Sequence, residues 1–308
     1  MSIYEHLTAL YGDSVVDWDP SAPDPSHSTY RISLAYDDEG ERWTDRFAGF
    51  LDAVPGERVR GLVVGAWEEM FEAGASARIV EALVAARGRL PNLRALFVGD
   101  IVSEECEISW IQQTDLSPLF GAYPALEYFC ARGGTGLQLG ALRHQQLKTL
   151  VLQSGGLPAA VTRAAIGADL PSLEHFELWL GTPDYGGDTA LADLEPLLAG
   201  QCFPRLRTLG LRDSEIADQI AAALATTPVI ERLQTLDLSL GTLSDEGAAA
   251  LLASPAVARL AKLDIHHHYC SDAMVARLKQ LGIELDAGDP QEPDEDDGTV
   301  WRYVAVGE

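Results

Sequence analysis

The stretch Leu233-Gln234-Thr235-Leu236-Asp237-Leu238-Ser239-Leu240-Gly241-Thr242-Leu243-Ser244-Asp245-Glu246-Gly247-Ala248-Ala249-Ala250-Leu251 decides the fold. It opens apolar-x-x-apolar-x-apolar. Leu236 and Leu238 lie two residues apart, so they share one face of a short strand, and Leu233 enters the same core from the preceding turn. The pattern recurs at Leu93/Leu96/Val98, Leu126/Phe129/Ala131, Leu147/Leu150/Leu152, Leu173/Phe176/Leu178, Leu206/Leu209/Leu211 and Leu260/Leu263/Ile265. A weaker copy, Val59/Leu62/Val64, precedes these, and a divergent one is readable at Thr29/Ile32/Leu34. From residue 59 onward the steps between copies are 34, 33, 21, 26, 33, 27 and 27 residues. Pro91, Pro124, Pro171 and Pro204 each stand two residues before the first leucine of a copy, where proline ends a helix and restarts extended chain.

Helical stretches lie between the strands: Ile79, Val80, Leu83 and Val84 form one apolar face, Ala221, Leu224 and Ala225 another, and Val275, Leu278 and Leu281 a third. One strand-helix unit cannot bury both of its faces, but stacked units can, so the repeat predicts an α/β solenoid. The strands are expected to centre on Leu62, Leu96, Phe129, Leu150, Phe176, Leu209, Leu236 and Leu263, in a parallel sheet on the concave face with helices on the convex one.

The repeated segments resemble the leucine-rich repeat family, in particular its ribonuclease-inhibitor-like type with about 27 residues per repeat. The resemblance spans Val59 to Ile265. It departs from that family three residues after the last strand leucine. The asparagine or cysteine usual there is replaced by Gly134, Gly155, Gly181, Ser214, Gly241 and His268, so the ladder of side-chain bonds between loops is expected to be missing.

The chain has 308 residues and a formal charge of −25, which argues against nucleic acid or an anionic membrane surface as its main partner. No apolar run reaches the roughly 18 residues of a membrane span. Met1 to Glu5 lacks the basic and apolar regions of a signal peptide. Cys106, Cys130, Cys202 and Cys270 are widely spaced and fit reduced thiols, so a cytoplasmic location is expected.

The ends depart from the repeat. Residues 1–58 read as an N-terminal cap. Within it Ile3, Leu7 and Leu10 suit a short helix stopped at Gly12, Asp13 to Ser28 suits an irregular loop, and Trp43, Phe47, Phe50, Leu51 and Val54 form a helical stripe stopped at Pro55-Gly56. Residues 59–285 form the solenoid. Residues 286–298 read as a disordered acidic linker, and residues 299–308 as a β-prone peptide. That peptide, with Trp301, Arg302, Tyr303, Val304, Val306 and Glu308 as its recognition residues, either folds back onto the solenoid or serves as a tethered strand for a partner.

Three segments carry a narrower resemblance: Gly99 to Ile111, His266 to Asp272, and Arg302 to Glu308. They look like an uncharacterised family of bacterial leucine-rich repeat proteins whose genes can neighbour radical-enzyme and ATP-grasp genes. The resemblance implies that the tail is something such an enzyme docks on or modifies.

No nucleophile elbow, zinc-protease, phosphate-loop or dinucleotide motif is present, and Gly133-Gly134-Thr135-Gly136 reads as a tight turn. His266, His267 and His268 with Asp264, Cys270 and Asp272 form the one metal-like cluster, although neighbouring strand residues point to opposite faces. The simpler reading is a polar last repeat with Asp272 capping the helix from Ala273. What remains is the concave row. It is apolar at first, with Val63, Phe97 and Cys130, and then polar. Its candidate binding residues are Tyr128, Arg132, Gln153, Glu177, Trp179, Arg212, Asp237, Asp264 and His266, with Trp179 as an exposed hot spot. The expected function is a non-catalytic, cofactor-free scaffold for a protein or peptide partner, with the tail presented to a partner enzyme. The alternative is a metal-dependent enzyme built on His266 to Asp272.

Overall fold

The computed structural model describes residues 3–35 and 40–307. The chain divides into two compact units, one running up to Leu152 with Ala168–Leu170, the other comprising Gln153–Gly167 and the chain from Pro171 onward.

The first unit opens with an antiparallel pair, β1 (Ala9–Leu10) and β2 (Asp13–Ser14), turned at Tyr11-Gly12. Six parallel strands then follow in chain order: β3 (Val16–Asp17), β4 (Thr29–Ile32), β5 (Gly61–Val64), β6 (Ala95–Val98), β7 (Tyr128–Arg132) and β8 (Thr149–Gln153). Helices α1 (Trp43–Ala53), α2 (Ala77–Ala85) and α3 (Ser117–Ala122) return between them, α1 beside α2 and α2 beside α3. The register places Tyr30, Leu62, Leu96 and Phe129 side by side on neighbouring strands, which stacks the repeat's second apolar position into a buried column. The sheet starts before residue 59, and β4 covers the divergent copy two residues out of the expected phase, with Tyr30 rather than Ile32 beside Leu62. The Trp43 stripe forms α1. Trp43 and Phe47 stack at 4.9 Å, Phe50 meets Tyr30 at 5.2 Å, and the Trp43 indole N–H donates to the Ile32 carbonyl at 2.8 Å.

The helix expected over Ile3, Leu7 and Leu10 does not form. The segment is extended, and Leu10 packs into a buried apolar cluster with Val63, Ala95, Phe97, Cys130 and Val151, flanked by Leu7, Val15 and Tyr128. Val63, Phe97 and Cys130 are the apolar part of the row expected to be open. Burying them against the N-terminal segment gains more than leaving them in water, at about 25 cal/mol per Å² of apolar surface.

The second unit carries β9 (His175–Gly181), β10 (Thr208–Ser214), β11 (Thr235–Asp237), β12 (Lys262–Asp264) and β13 (Glu284–Asp286), again parallel and in chain order. Phe176, Leu209, Leu236, Leu263 and Leu285 are in register. Its helices are α4 (Ala159–Ile166), α5 (Glu195–Leu198), α6 (Ala217–Leu224), α7 (Asp245–Ala253) and α8 (Asp272–Leu278), with α7 between α6 and α8. An antiparallel hairpin, β14 (Asp294–Asp296) with β15 (Thr299–Trp301), closes the chain. The protein is thus a leucine-rich repeat solenoid, one parallel strand and one return path per repeat. No described helix is long and apolar enough to cross a membrane.

Another ladder stands in the last repeats, where the family's asparagines are absent. The Asp218 carboxylate accepts the Ser244 N–H at 2.8 Å, the Ser244 hydroxyl at 2.6 Å and the Gly247 N–H at 3.1 Å. One repeat on, the Asp245 carboxylate accepts the Ser271 N–H and hydroxyl, both at 2.7 Å. Ser244 and Ser271 in turn cap α7 and α8, so Ser271, rather than Asp272, caps the last helix. Gly247 is required here, because a Cβ would stand 2.7 Å from Asp218 Oδ1.

Candidate functional site

Most of the sheet-face residues named as binding candidates are not free. In the first unit Arg132 is buried, donates to the Ile101 carbonyl at 2.6 Å and lies 5.5 Å from the centre of the Phe97 ring. Tyr128 is half-buried beside Tyr11, whose hydroxyl donates to Glu127 at 2.7 Å. The N-terminal segment is clamped down by Asp100. Its carboxylate pairs with Arg31 at 2.7 Å and His6 at 3.7 Å and accepts the Leu7 N–H at 3.2 Å. The neighbouring carboxylates of Asp100, first, and Glu105 raise the His6 pKa to about 9.

In the second unit Trp179 is 1% exposed, which corrects the expectation of an exposed hot spot. Trp179 and Arg212 are register partners on β9 and β10, so the guanidinium lies over the indole at 4.9 Å. Glu177 joins them. It accepts the Trp179 N–H at 2.7 Å, pairs with Arg212 at 3.0 Å and with His175 at 3.1 Å, and has room because its neighbour in register is Gly210. Burial opposes the Glu177 charge, yet His175 and Arg212 outweigh it and hold the carboxyl far below its usual range. Arg212 also donates to Ser239 at 2.8 Å and meets Asp237 at 3.3 Å. Burial pushes the Asp237 carboxyl up. Gln153 is buried as well. This network satisfies itself and leaves Trp179 nothing to offer a partner.

The histidine cluster separates. His266 Nδ1 meets Asp264 at 2.7 Å, and their register neighbour Asp286 brings a third ligand atom, all within 4.8 Å of one another. Lys262 occupies the other Asp264 oxygen at 3.0 Å. Although burial opposes it, the His266 and Lys262 hydrogen bonds hold Asp264 down to about 2. His267 turns to Asp289 at 3.3 Å and the Tyr303 carbonyl at 3.2 Å. His268 is buried, with Nδ1 accepting the Cys270 N–H at 3.0 Å. Cys270 is buried too, which pushes its thiol up to about 12, and Asp272 is exposed at the start of α8. The His266 to Asp272 ligand set therefore does not converge. Alternation along β12 and the turn at His267 (φ 57°) send its members to different neighbours.

The chain's end is ordered against its own repeats. Asp297-Gly298, both at positive φ (47° and 76°), makes the tight turn between β14 and β15, where a disordered linker was expected. Beyond it, Arg302 pairs with Asp218 at 3.0 Å and donates to the Thr242 carbonyl at 3.2 Å. The Tyr303 N–H donates to the Tyr269 hydroxyl, which donates back to the Tyr303 carbonyl, at 2.8 and 2.9 Å. The Ala305 N–H reaches the Leu240 carbonyl at 2.8 Å, the Val306 N–H reaches Asp213 Oδ1 at 3.0 Å, and the Val306 side chain is 4% exposed. The segment is docked on its own chain rather than tethered in solvent; Glu308 lies outside the described residues. Docking leaves Val300, Trp301 and Tyr303 more than half exposed. With Val304 they border an open cleft of about 640 Å³, whose other walls include Thr182, Asp184, Tyr185, Glu215 and Thr242. The tail residues of this cleft are legible in the sequence, whereas its loop residues are not, because no periodicity marks them.

No protein-family model matches the chain, and no curated protein matches it. The crystal structure of a Bacteroides fragilis protein is similar over 86% of this chain and 76% of its own, at 32% identity and a TM-score of 0.81. An internalin of Listeria monocytogenes is similar at 13% identity and a TM-score of 0.40, over 80% of this chain and 57% of its own, a likeness too slight to argue from.

Proposed function

We propose, for a chain that belongs to the family of that Bacteroides fragilis protein, a non-catalytic role as a scaffold that binds a protein or peptide at the cleft bordered by its own C-terminal segment. One observation carries the reading: Trp301 and Tyr303 stay 51% and 56% exposed although the backbone on either side of Tyr303 is tied down. Tryptophan and tyrosine dominate binding hot spots. A segment already ordered before binding loses little further entropy on association. The sheet face supports the same choice, because its aromatic and charged residues are engaged with one another.

The finer expectation was an enzyme that reads or modifies residues 299–308. Such an enzyme meets Val300, Trp301 and Tyr303 from outside, whereas access to Arg302 or Val306 requires release from Asp218 and Asp213. The test is partner capture from an extract of the source cell. Trp301→Ala should weaken capture by about 2 kcal/mol or more, while Trp110→Ala, at a more exposed tryptophan in the first unit, should not. Undiminished capture by Trp301→Ala sinks the proposal.

A further inference from the structure

The chemistry of the cleft indicates what it receives. Two of its lining side chains, Asp184 and Glu215, are exposed carboxylates with no ion-pair partner among the described residues. Arg302 lines the cleft as well, but its charge is matched by Asp218 at 3.0 Å, with the same nitrogen donating to the Thr242 carbonyl, so it does not neutralise the two carboxylates. The aromatic residues Tyr185, Trp301 and Tyr303 border the same space. Aromatic faces attract cations within about 6 Å of the ring centre and repel anions. A lysine or arginine offers an apolar stem for such rings and a charged head for carboxylates. An anionic ligand would meet two uncompensated negative charges, and a purely apolar one would strip water from them without return.

We propose that the cleft receives the side chain of a lysine or arginine carried on a basic peptide segment. This rests on the reading of the cleft as the recognition site. The formal charge of −25 serves the same end by concentrating basic segments near the surface. The backbone that presents the carboxylates is held in place. The Asp184 N–H donates to Thr182 Oγ1 at 3.0 Å, and the Glu215 carbonyl accepts the Thr242 hydroxyl at 2.9 Å.

The test uses the whole chain and an octapeptide of alternating lysine and glycine, with an alternating glutamate-glycine peptide as comparator, followed by calorimetry and amide exchange. The lysine peptide should bind and slow exchange at residues 182–185 and 300–304. Trp301→Ala should weaken it by about tenfold, within the range of a partly desolvated cation–π contact. Asp184→Asn with Glu215→Gln should weaken it at least as much. Glu104→Gln with Glu107→Gln, the same change of charge at exposed positions of the first unit, should leave it within about twofold. Equal weakening by that control pair, protection elsewhere, or binding of the glutamate peptide at the cleft would overturn the proposal. If the lysine peptide fails while partner capture still depends on Trp301, the cleft stands and its cationic preference falls. If neither depends on Trp301, both fall.

Discussion

Asp213 is a carboxyl held at a left-handed backbone position (φ 52°), with one oxygen accepting the Val306 N–H and the other without a hydrogen-bond partner among the described residues. Burial pushes its pKa well above the ordinary 3.8. A raised carboxyl favours folding only while both states hold the proton, so its contribution drains away as pH rises through the folded-state value. Asp213→Asn keeps the acceptor, tolerates the positive φ and removes the charge. It should raise the melting temperature at neutral pH, with the gain vanishing near pH 4, and a lower melting temperature at pH 7 would contradict this. His6 has the opposite chemistry and the same sign. Its stabilising pairing with Asp100 is complete below 6.5 and lost as pH climbs through about 9. The urea midpoint of the wild type should therefore exceed that of His6→Gln most at low pH and converge with it above about 10; a constant difference would exclude this role. Trp179 marks the limit of reading residues from sequence. Its outward position on β9 was legible, but its burial depends on Arg212 and Gly210 one repeat away, and repeats of unequal length hide which residues face each other.

At the scale of elements, the strands centred on Leu62 through Leu263 and the helix from Trp43 were legible because periodicity and proline spacing repeat. The two ends were not, because each element there occurs once. Ile3, Leu7 and Leu10 have helical spacing, yet Tyr11-Gly12 takes φ of 50° and 87°, which folds a hairpin and drops Leu10 onto the sheet. Asp297-Gly298 is the same device, and the Asp-Gly pair signals such a turn within a run that its charge alone marks as disordered. Leu285 and β13 extend the repeat past its last recognisable leucine motif. If the N-terminal segment is a true part of the core, Leu10→Ala should cost about 2–5 kcal/mol. A denaturation midpoint unchanged from wild type would return residues 3–17 to a dispensable leader.

At the scale of the whole molecule, the charge of −25 and the aromatic cleft make one demand on a partner: it must be basic where it meets Trp301. Association should therefore slow as salt rises, since screening shortens electrostatic reach to about 8 Å at physiological ionic strength. All of this depends on the C-terminal segment lying on its own chain. The most direct measurement is residue-resolved amide exchange in the full-length, partner-free protein at Tyr303, Ala305 and Val306. Their N–H groups donate to the Tyr269 hydroxyl, the Leu240 carbonyl and Asp213. Protection comparable to that of the repeat strands is the predicted result. Exchange at the rate of an unstructured peptide would contradict it, removing the wall on which the cleft is built.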